Sequence, residues 1–336
     1  MLARLTLGCV LAAIAAGCGA GGSGDSTTRS STPVRSATLI LDFTPNAVHA
    51  GIYTAIARGY DRAAGVRLHV IAPTASTDSI KLLETDKVDF AILDIHDLAI
   101  ARERGQDVVG IMAIVERPLS AVIAAPGIRS PKALQGKTVG ITGVPSDTAV
   151  LRSVVAGSGG DPAKVKTITI GFNAVADLLA GRVAGATAFW NDEGQAIQSK
   201  RPDFHIFRVD DYGAPAYPEL VLCVTATTLR RASGLVRGVV DALGRGYLYT
   251  LAHPQQSAEA LERQIPGLDP SLVQAQLKGL LPAFHAADGR IGELSAQTLR
   301  TWARWEARFG IVPRAPDVAQ AFAPSFAAKL QAQQER

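Results

Sequence analysis

Cysteine is scarce in this sequence. Its 336 residues include three cysteines, Cys9, Cys18 and Cys223. Cys223 is the only one after position 18 and lies within the apolar run LVLCVT. A disulfide inside a folded body is therefore excluded. We interpret Cys223 as a small core residue rather than as a reactive thiol.

Several motifs that define function classes are also missing. The chain has no phosphate-binding glycine loop, no paired cysteine ligands and no GxSxG turn. It has no basic run with interleaved aromatic residues, and its net charge is only +4, so no nucleic-acid partner is expected. Beyond the N-terminus, no apolar stretch approaches the length of a transmembrane helix. The length is sufficient for two medium lobes with cores of their own.

The N-terminus has the features of a bacterial export signal. MLARLTLGCVLAAIAAGC combines a charged start, a short apolar run and small residues before Cys18. The apolar run is too short for a stable membrane anchor, which predicts a signal peptide over 1–17. AAGC resembles a lipobox, in which the cysteine is lipidated, and a plain secretory signal is the alternative. The Gly/Ser/Thr-rich segment 18–36 predicts a flexible, lipid-anchored tether.

The rest of the chain alternates between short apolar runs and helical segments. The runs that predict strands are TLILDF, VRLHVI, VDFAIL, VVGIMAIV, AVIAAP, KTVGIT, VKTITI, GATAFW, FHIFRV and ELVLCV. Segments such as HAGIYTAIARGY and SDTAVLRSVVAGSG predict helices between them. This alternation predicts an α/β fold with mixed, mostly parallel sheets. After Thr225 the pattern becomes helical only, which predicts C-terminal helices that cover a sheet.

Two apolar runs, LSAVIAAP and ELVLCVTAT, are candidates for strands that cross between two lobes. The segment between them has its own set of strands and helices. We therefore predict a first lobe from 37–123 and 222–336, and a second lobe from 124–221. Two such lobes would enclose a ligand cleft that closes about the crossing strands.

Polar side chains follow five of the predicted strands, where ligands bind in open α/β sheets. They fall in the segments DFTPN, PTAST, DIHD, GVPSDT and WNDE. Helix capping is the favoured role for Ser146, Asp147 and Asp97. DFTPN and FWNDEG contain more carboxylates, amides and aromatic rings than a cap requires. Ligand contact is the favoured interpretation of these two segments.

The chemistry of these clusters indicates a class of ligand. They are acidic, amide-rich and aromatic, and no Lys or Arg lies at these strand ends. Such a cleft suits a flat, nitrogen-rich ligand with N–H donors that stacks on rings, and it suits nitrate or sulfonate poorly. Asp94, His96 and Asp97 also allow a metal site, but a loop histidine or a ligand contact is favoured. His49 has no identifiable nucleophile beside it, so no catalytic residue, cofactor or metal is predicted.

Two segments carry a resemblance to a known family. LDFTPNAVHAGIYTAIARGYDRAAGV resembles the opening motif of the thiamine-pyrimidine-precursor family, D-W-x-P-N-x-x-H-x-G, with Phe43 in place of the usual Trp. GRVAGATAFWNDEGQAI resembles its second motif, a strand followed by Y-W-N-x-E, with Phe189 in place of the Tyr. The resemblance extends over roughly 37–310. The family includes solute-binding proteins of ABC importers and, in fungi, pyrimidine synthases.

The resemblance implies the two-lobed periplasmic-binding-protein fold, type II. It also implies a lipoprotein that delivers formylaminopyrimidine, hydroxymethylpyrimidine or a similar solute to an ABC permease with its ATPase. The alternatives are riboflavin, a nitrate- or sulfonate-type anion, or a synthase-like enzyme. We expect a monomer in the bacterial cell envelope, outside the cytoplasm and held at the membrane by its lipid. The predicted ligand-binding residues are Asp42, Phe43, Asn46, His49, Asp94, His96, Phe189, Trp190 and Glu193.

Overall fold

The computed structural model describes residues 34–144, 146–328 and 330. The predicted signal peptide, Cys18 and the tether up to residue 33 lie outside the described residues. The tether was predicted to extend to Ser36. That end point is wrong, because Arg35 and Ser36 already pair with Val66 and Arg67 in a sheet.

The described chain alternates between strands and helices. The strands are Arg35–Ile40 (β1), Val66–Ile71 (β2), Phe90–Asp94 (β3), Val108–Ala113 (β4), Ser120–Ala124 (β5), Thr138–Ile141 (β6), Lys166–Thr169 (β7), Gly185–Phe189 (β8), His205–Arg208 (β9) and Leu220–Thr225 (β10). The helices are Ala50–Ala57 (α1), Tyr60–Ala63 (α2), Asp78–Glu84 (α3), Ile95–Glu103 (α4), Asp147–Gly157 (α5), Ala174–Leu179 (α6), Glu193–Lys200 (α7), Ala226–Arg231 (α8), Ser233–Ala252 (α9), Pro254–Gln264 (α10), Pro270–Leu280 (α11), Ala296–Arg308 (α12) and Val318–Ala321 (α13). Each predicted strand run coincides with one of the ten strands.

Two five-stranded sheets organise the chain, with orders β2-β1-β3-β10-β4 and β7-β6-β8-β5-β9. In the first sheet β1 is parallel to β2 and β3, whereas β10 is antiparallel to β3 and β4. In the second sheet β6 is parallel to β7 and β8, whereas β5 is antiparallel to β8 and β9. Each sheet thus has one antiparallel strand. The predicted α/β fold with mixed sheets is confirmed.

The two antiparallel strands are the ones that directly follow a crossing between the sheets. β5 pairs along its whole length with strands of the second sheet, and β10 pairs with strands of the first. We call the part built on the first sheet the first lobe and the part built on the second sheet the second lobe. The predicted boundaries at 123/124 and 221/222 fall inside these strands. We propose instead that the crossings lie at 115–119 and 214–219.

The C-terminal helices pack mainly on the first lobe, as their sequence pattern predicts. Apolar residues of α9 recur on one buried face, including Val236, Val239, Val240 and Leu243. Gly246 lets α9 approach α1 closely, because a Cβ there would lie 2.0 Å from the Gly51 carbonyl oxygen. Among the described residues, no strand follows β10. No helix in the described part of the chain is long and apolar enough to cross a membrane.

Candidate functional site

A cleft between the two lobes contains a cavity at the ends of the strands. It has about 800 Å³ of empty space, including the part that is open to solvent. Of the predicted ligand-binding residues, Asp42, Phe43, Asp94, Phe189 and Glu193 line it. The other residues that line it are Ser76, Ser79, Ile80, Ile92, Leu93, Asp97, Ser120, Ala121, Thr142, Val144, Ser146, Asp147, Val150, Phe172, Thr187, Ala188 and Leu220.

The polar groups of this lining are carboxylates and hydroxyls. It contains no Lys, Arg, His, Asn or Gln side chain among the described residues. The carboxylates come from both lobes. They are Asp42, Asp94, Asp97, Asp147 and Glu193. A carboxyl group keeps an acceptor oxygen whether it is ionised or protonated, so this acidic wall suits a ligand that offers N–H or O–H donors.

Asp42 is held by a chain of hydrogen bonds that begins in the backbone. The Asn46 backbone N–H donates to His49 Nδ1 at 3.2 Å, and His49 Nε2 lies 2.9 Å from Asp42 Oδ1. Because Nδ1 accepts a backbone proton, the ring proton must be on Nε2, which donates to Asp42. His49 is fully buried and does not line the cavity. Its geometry is that of a positioning residue for Asp42.

The aromatic residues differ from the predicted arrangement. Phe43 of the first lobe meets Phe172 of the second edge to face, with ring centroids 4.4 Å apart. Phe189 lines the cavity, but Trp190 does not. The Trp190 indole N–H donates to the Pro118 carbonyl oxygen at 3.0 Å, and the Arg208 guanidinium lies over its ring. Both contacts hold Trp190 outside the cavity lining.

His96 also lies outside the cavity lining, in a buried network. Its Nδ1 contacts the Glu306 carboxylate of α12, and its Nε2 lies 3.1 Å from the Tyr217 hydroxyl. Burial alone would lower the pKa of His96, but Glu306 and Asp94 outweigh it and raise the pKa to about 10. His96 is therefore an imidazolium that pairs with buried carboxylates.

Asp94, His96 and Glu219 bring one ligand atom each within 4.8 Å of one another, the most plausible place for a metal in the described chain. These groups already have hydrogen bonds. Asp94 Oδ1 caps α4 by accepting from the His96 N–H at 2.8 Å. Glu219 accepts from the backbone N–H groups of Leu119 and Ser120. We therefore interpret Asp94, His96 and Glu219 as part of a structural hydrogen-bond network rather than as metal ligands.

The capping role expected for Ser146, Asp147 and Asp97 is wrong. Ser146 makes no side-chain cap bond, and its hydroxyl donates instead to Asp97 Oδ1 at 3.0 Å, from the second lobe to the first. Asp147 accepts from the Thr142 hydroxyl, the Gly143 N–H and the Thr187 hydroxyl. These side chains form hydrogen bonds with residues elsewhere in the fold instead of with the N–H groups at the helix ends. Phe172 and Thr187 were not predicted, because neither stands in a polar cluster in the sequence.

Burial changes the protonation of the acidic wall. It raises the pKa of Glu193 to about 8, and the neighbouring Asp192 carboxylate adds to the increase. Burial likewise raises the pKa of Asp97 to about 6, although its hydrogen bond with Ser146 opposes the change. Burial also raises the pKa of Asp147 and of Asp94. The folded protein therefore holds protons here that the unfolded chain releases.

These shifts predict that stability decreases as the pH rises from about 5 to 8. A carboxyl whose pKa is raised in the folded state favours folding at low pH, and its ionisation disfavours folding above the unfolded pKa, near 4.3 for Glu. His96, with its raised pKa, changes stability in the same direction above pH 6.5. Each proton contributes a slope of up to about 1.4 kcal/mol per pH unit. Urea denaturation at pH 5.5 and pH 8 measures this slope.

Glu193→Gln serves as the comparison for the pH series, because glutamine does not titrate. The variant should show a shallower decrease in stability over the same range. The lowered pKa values of Asp78, Asp203 and Asp288, which are due first to side-chain hydrogen bonds, act below pH 4 and leave this window unchanged. A wild-type stability that increases from pH 5.5 to 8 would contradict the assignment of a protonated acidic wall.

The two sheets, the crossing segments between them and the cleft define a two-lobed α/β fold, the periplasmic-binding-protein fold. The alkanesulfonate-binding protein SsuA from Xanthomonas axonopodis pv. citri, bound to MOPS, shares it with a TM-score of 0.70. The two are 16% identical, and the alignment covers 87% of this chain and 99% of that one. The chain belongs to the NMT1/THI5-like family, which matches residues 46–257.

Curated relatives include a binding protein and an enzyme. The chain is 28% identical over 268 residues to the formylaminopyrimidine-binding protein of Halalkalibacterium halodurans, covering 79% of this chain and 81% of that one. It is 25% identical over 252 residues to the 4-amino-5-hydroxymethyl-2-methylpyrimidine phosphate synthase of Legionella pneumophila, covering 74% and 79%. The predicted family resemblance is confirmed.

Proposed function

We propose that this protein is the solute-binding component of an ABC importer and captures a small heteroaromatic solute. The single observation that carries the proposal is the lining of the inter-lobe cavity. It combines five carboxylates with three phenyl rings, Phe43, Phe172 and Phe189, and it has no cationic side chain among the described residues. A flat ring that bears N–H donors satisfies both features. A thiamine-pyrimidine precursor, formylaminopyrimidine or hydroxymethylpyrimidine, has this chemistry.

The lining disfavours an anion of the nitrate or sulfonate type. An anion would face the acceptor oxygens of Asp42 and Asp94 without a Lys or Arg beside them. Anion sites in proteins use cationic side chains or exposed backbone N–H groups at helix ends. Here the Gly143 N–H, close to the start of α5, is already bonded to Asp147. In this proposal the protein shares its fold with the sulfonate-binding protein but binds a different class of ligand.

The geometry also favours binding over catalysis. A general base must reach a proton on the substrate. Both ring nitrogens of His49 are engaged, by the Asn46 backbone and by Asp42. Both ring nitrogens of His96 are engaged as well, by Glu306 and Tyr217. Neither imidazole lines the cavity, so neither is placed to act as a general base on a ligand bound there.

Delivery of a solute to a permease requires the protein to be located at the membrane. We propose that it acts outside the cytoplasmic membrane, as a monomer, with lipidation of Cys18 as the anchor. Closure of the lobes around the solute would present a face that the permease recognises. The solute drives this closure by binding the closed form more tightly than the open form.

A thermal-shift panel tests the proposal. The purified full chain in detergent would be heated with formylaminopyrimidine, hydroxymethylpyrimidine, thiamine, riboflavin, taurine and nitrate. A ligand at a hundred times its dissociation constant adds about 2.7 kcal/mol of stability. We expect a clear shift with a pyrimidine. A shift with riboflavin alone would change the ligand within the same class. A response only to taurine or nitrate, or none at all, would overturn the proposal.

A further inference from the structure

Asp192 stands at the end of β8, beside Glu193, but it is not in the cavity lining. Its carboxylate makes no side-chain cap bond to α7. Instead it extends from the second lobe to two amides of the first. Asn46 Nδ2 lies 3.4 Å from Asp192 Oδ2, and Gln276 Nε2 of α11 donates to Asp192 Oδ1. A single carboxylate is thus held by two donors across the cleft.

The first lobe orients both amides in advance. The Val48 N–H donates to Asn46 Oδ1 at 2.9 Å, and the Ala47 N–H lies 3.4 Å from Gln276 Oε1. Because backbone N–H groups can only donate, each amide must direct its oxygen to the backbone and its NH₂ to Asp192. Asn46 and Gln276 are both buried, so their rotamers are held by packing. They form a rigid cradle for one carboxylate.

We propose that Asp192 is the closing latch of the second lobe, held by Asn46 and Gln276, and that it sets how long a bound solute is retained. The inference rests on the proposed solute-binding function. It assigns Asn46 to lobe closure, as a positioning residue, in place of the direct ligand contact that its motif implied. Gln276 joins the functional residues although no motif marks it.

The latch lies next to the proposed ligand contact along the chain. Asp192 accepts a hydrogen bond from Gln276 of the first lobe, and the following residue, Glu193, lines the cavity. The Glu193 carboxylate is itself fixed, since Oε2 accepts the Phe189 backbone N–H at 3.0 Å. A solute bound to Glu193 therefore stabilises the same short segment that docks on Asn46 and Gln276. Occupancy of the cavity and docking of the latch reinforce each other.

Spin-label distances measure the latch without any solute. Exposed Ala75 and Asn173 are next in sequence to residues that meet across the cleft: the Ser76 hydroxyl donates to the Thr142 carbonyl at 3.1 Å, and the Phe172 ring contacts Phe43. The full chain would carry Ala75→Cys and Asn173→Cys with Cys9→Ser and Cys18→Ser, since Cys223 is fully buried. We expect Asp192→Asn to shift the distance distribution to longer values. Asp203→Asn, an exposed second-lobe carboxylate paired with Arg201, is the matched control.

Dissociation kinetics and a double-mutant cycle complete the test. With a pyrimidine from the panel bound, Asp192→Asn should accelerate dissociation about tenfold while association changes less than twofold, because a charged acceptor for two donors is lost. Asp192→Asn and Gln276→Ala should be strongly non-additive. Unchanged distances, or additive effects of the two variants, would overturn the latch. If no solute in the panel binds, the distances still decide the latch separately from the proposed function.

Discussion

Replacing Glu193 with glutamine is expected to weaken pyrimidine binding about a hundredfold. The side chain is buried in the second lobe, lines the cavity and follows the ring of Phe189 by four residues. Glutamine replaces one carboxyl oxygen by an NH₂ donor, so either the Phe189 N–H or the ligand N–H then faces a donor, and a buried donor without an acceptor costs about 1–3 kcal/mol. Isothermal titration calorimetry of wild type and variant measures the change.

The same substitution should raise the free energy of unfolding at pH 8. Glutamine removes the cost of ionising a buried carboxyl, whose pKa burial raises to about 8. A loss of binding together with a gain in stability is the signature of a residue kept for function. Asp177→Asn is the control, because Asp177 is a largely buried second-lobe carboxylate that pairs with Arg182 away from the cavity. It should leave binding unchanged. Equal weakening by both variants would contradict a direct role for Glu193.

Glu219→Ala is expected to reduce the free energy of unfolding by about 3–5 kcal/mol. Glu219 is fully buried where the chain crosses back to the first sheet. Its Oε2 accepts from the backbone N–H groups of Leu119 and Ser120, and its Oε1 from the Ser120 hydroxyl. The variant leaves these donors buried without an acceptor and removes a carboxylate 3.7 Å from His96. Guanidinium denaturation followed by tryptophan fluorescence gives the difference.

Glu259→Ala is the matched control for Glu219→Ala. Glu259 is a partly exposed glutamate on α10 that lies 3.6 Å from Arg263. Loss of such a surface pair changes stability by less than about 1 kcal/mol. Since Ser120 lines the cavity, Glu219→Ala should also weaken ligand binding. If the two variants were equally stable, the bonds of Glu219 to the crossing segments would not be stabilising the fold.

Most of the strands could be predicted from the sequence because most are short apolar runs with a polar or glycine boundary, although β7, KTIT, is exposed along its length. In β10, for example, Leu220–Thr225 is buried along its whole length, and every residue before Thr225 is apolar. The start of β1 was missed because Arg35 and Ser36 are polar. Their backbone pairs with Val66 and Arg67 while their side chains remain exposed. Polar residues at the exposed end of a strand give no hydrophobic pattern from which the strand could be predicted.

The candidate site was predictable where a polar residue lies at the end of a strand or within a few residues after it. Asp42, Asp94 and Glu193 line the cavity for this reason. Contacts between residues distant in the sequence could not be predicted. His96 meets Glu306 of α12, and Gln276 meets Asp192, and no local spacing encodes either pair. The position of Ser146 suggested a helix cap, but its hydroxyl donates a hydrogen bond to Asp97 of the other lobe.

The strand orders also constrain how the chain folds. The second sheet uses strands β5–β9, one continuous stretch of chain, so it can complete as soon as that stretch is available. The first sheet cannot, because β3 and β4 pair with β10 and not with each other. Until Leu220–Thr225 arrives, β4 has no neighbour in its sheet. We expect the lobe that begins the chain to be the later one to fold, since closing the longer loop costs more entropy before any contact is gained.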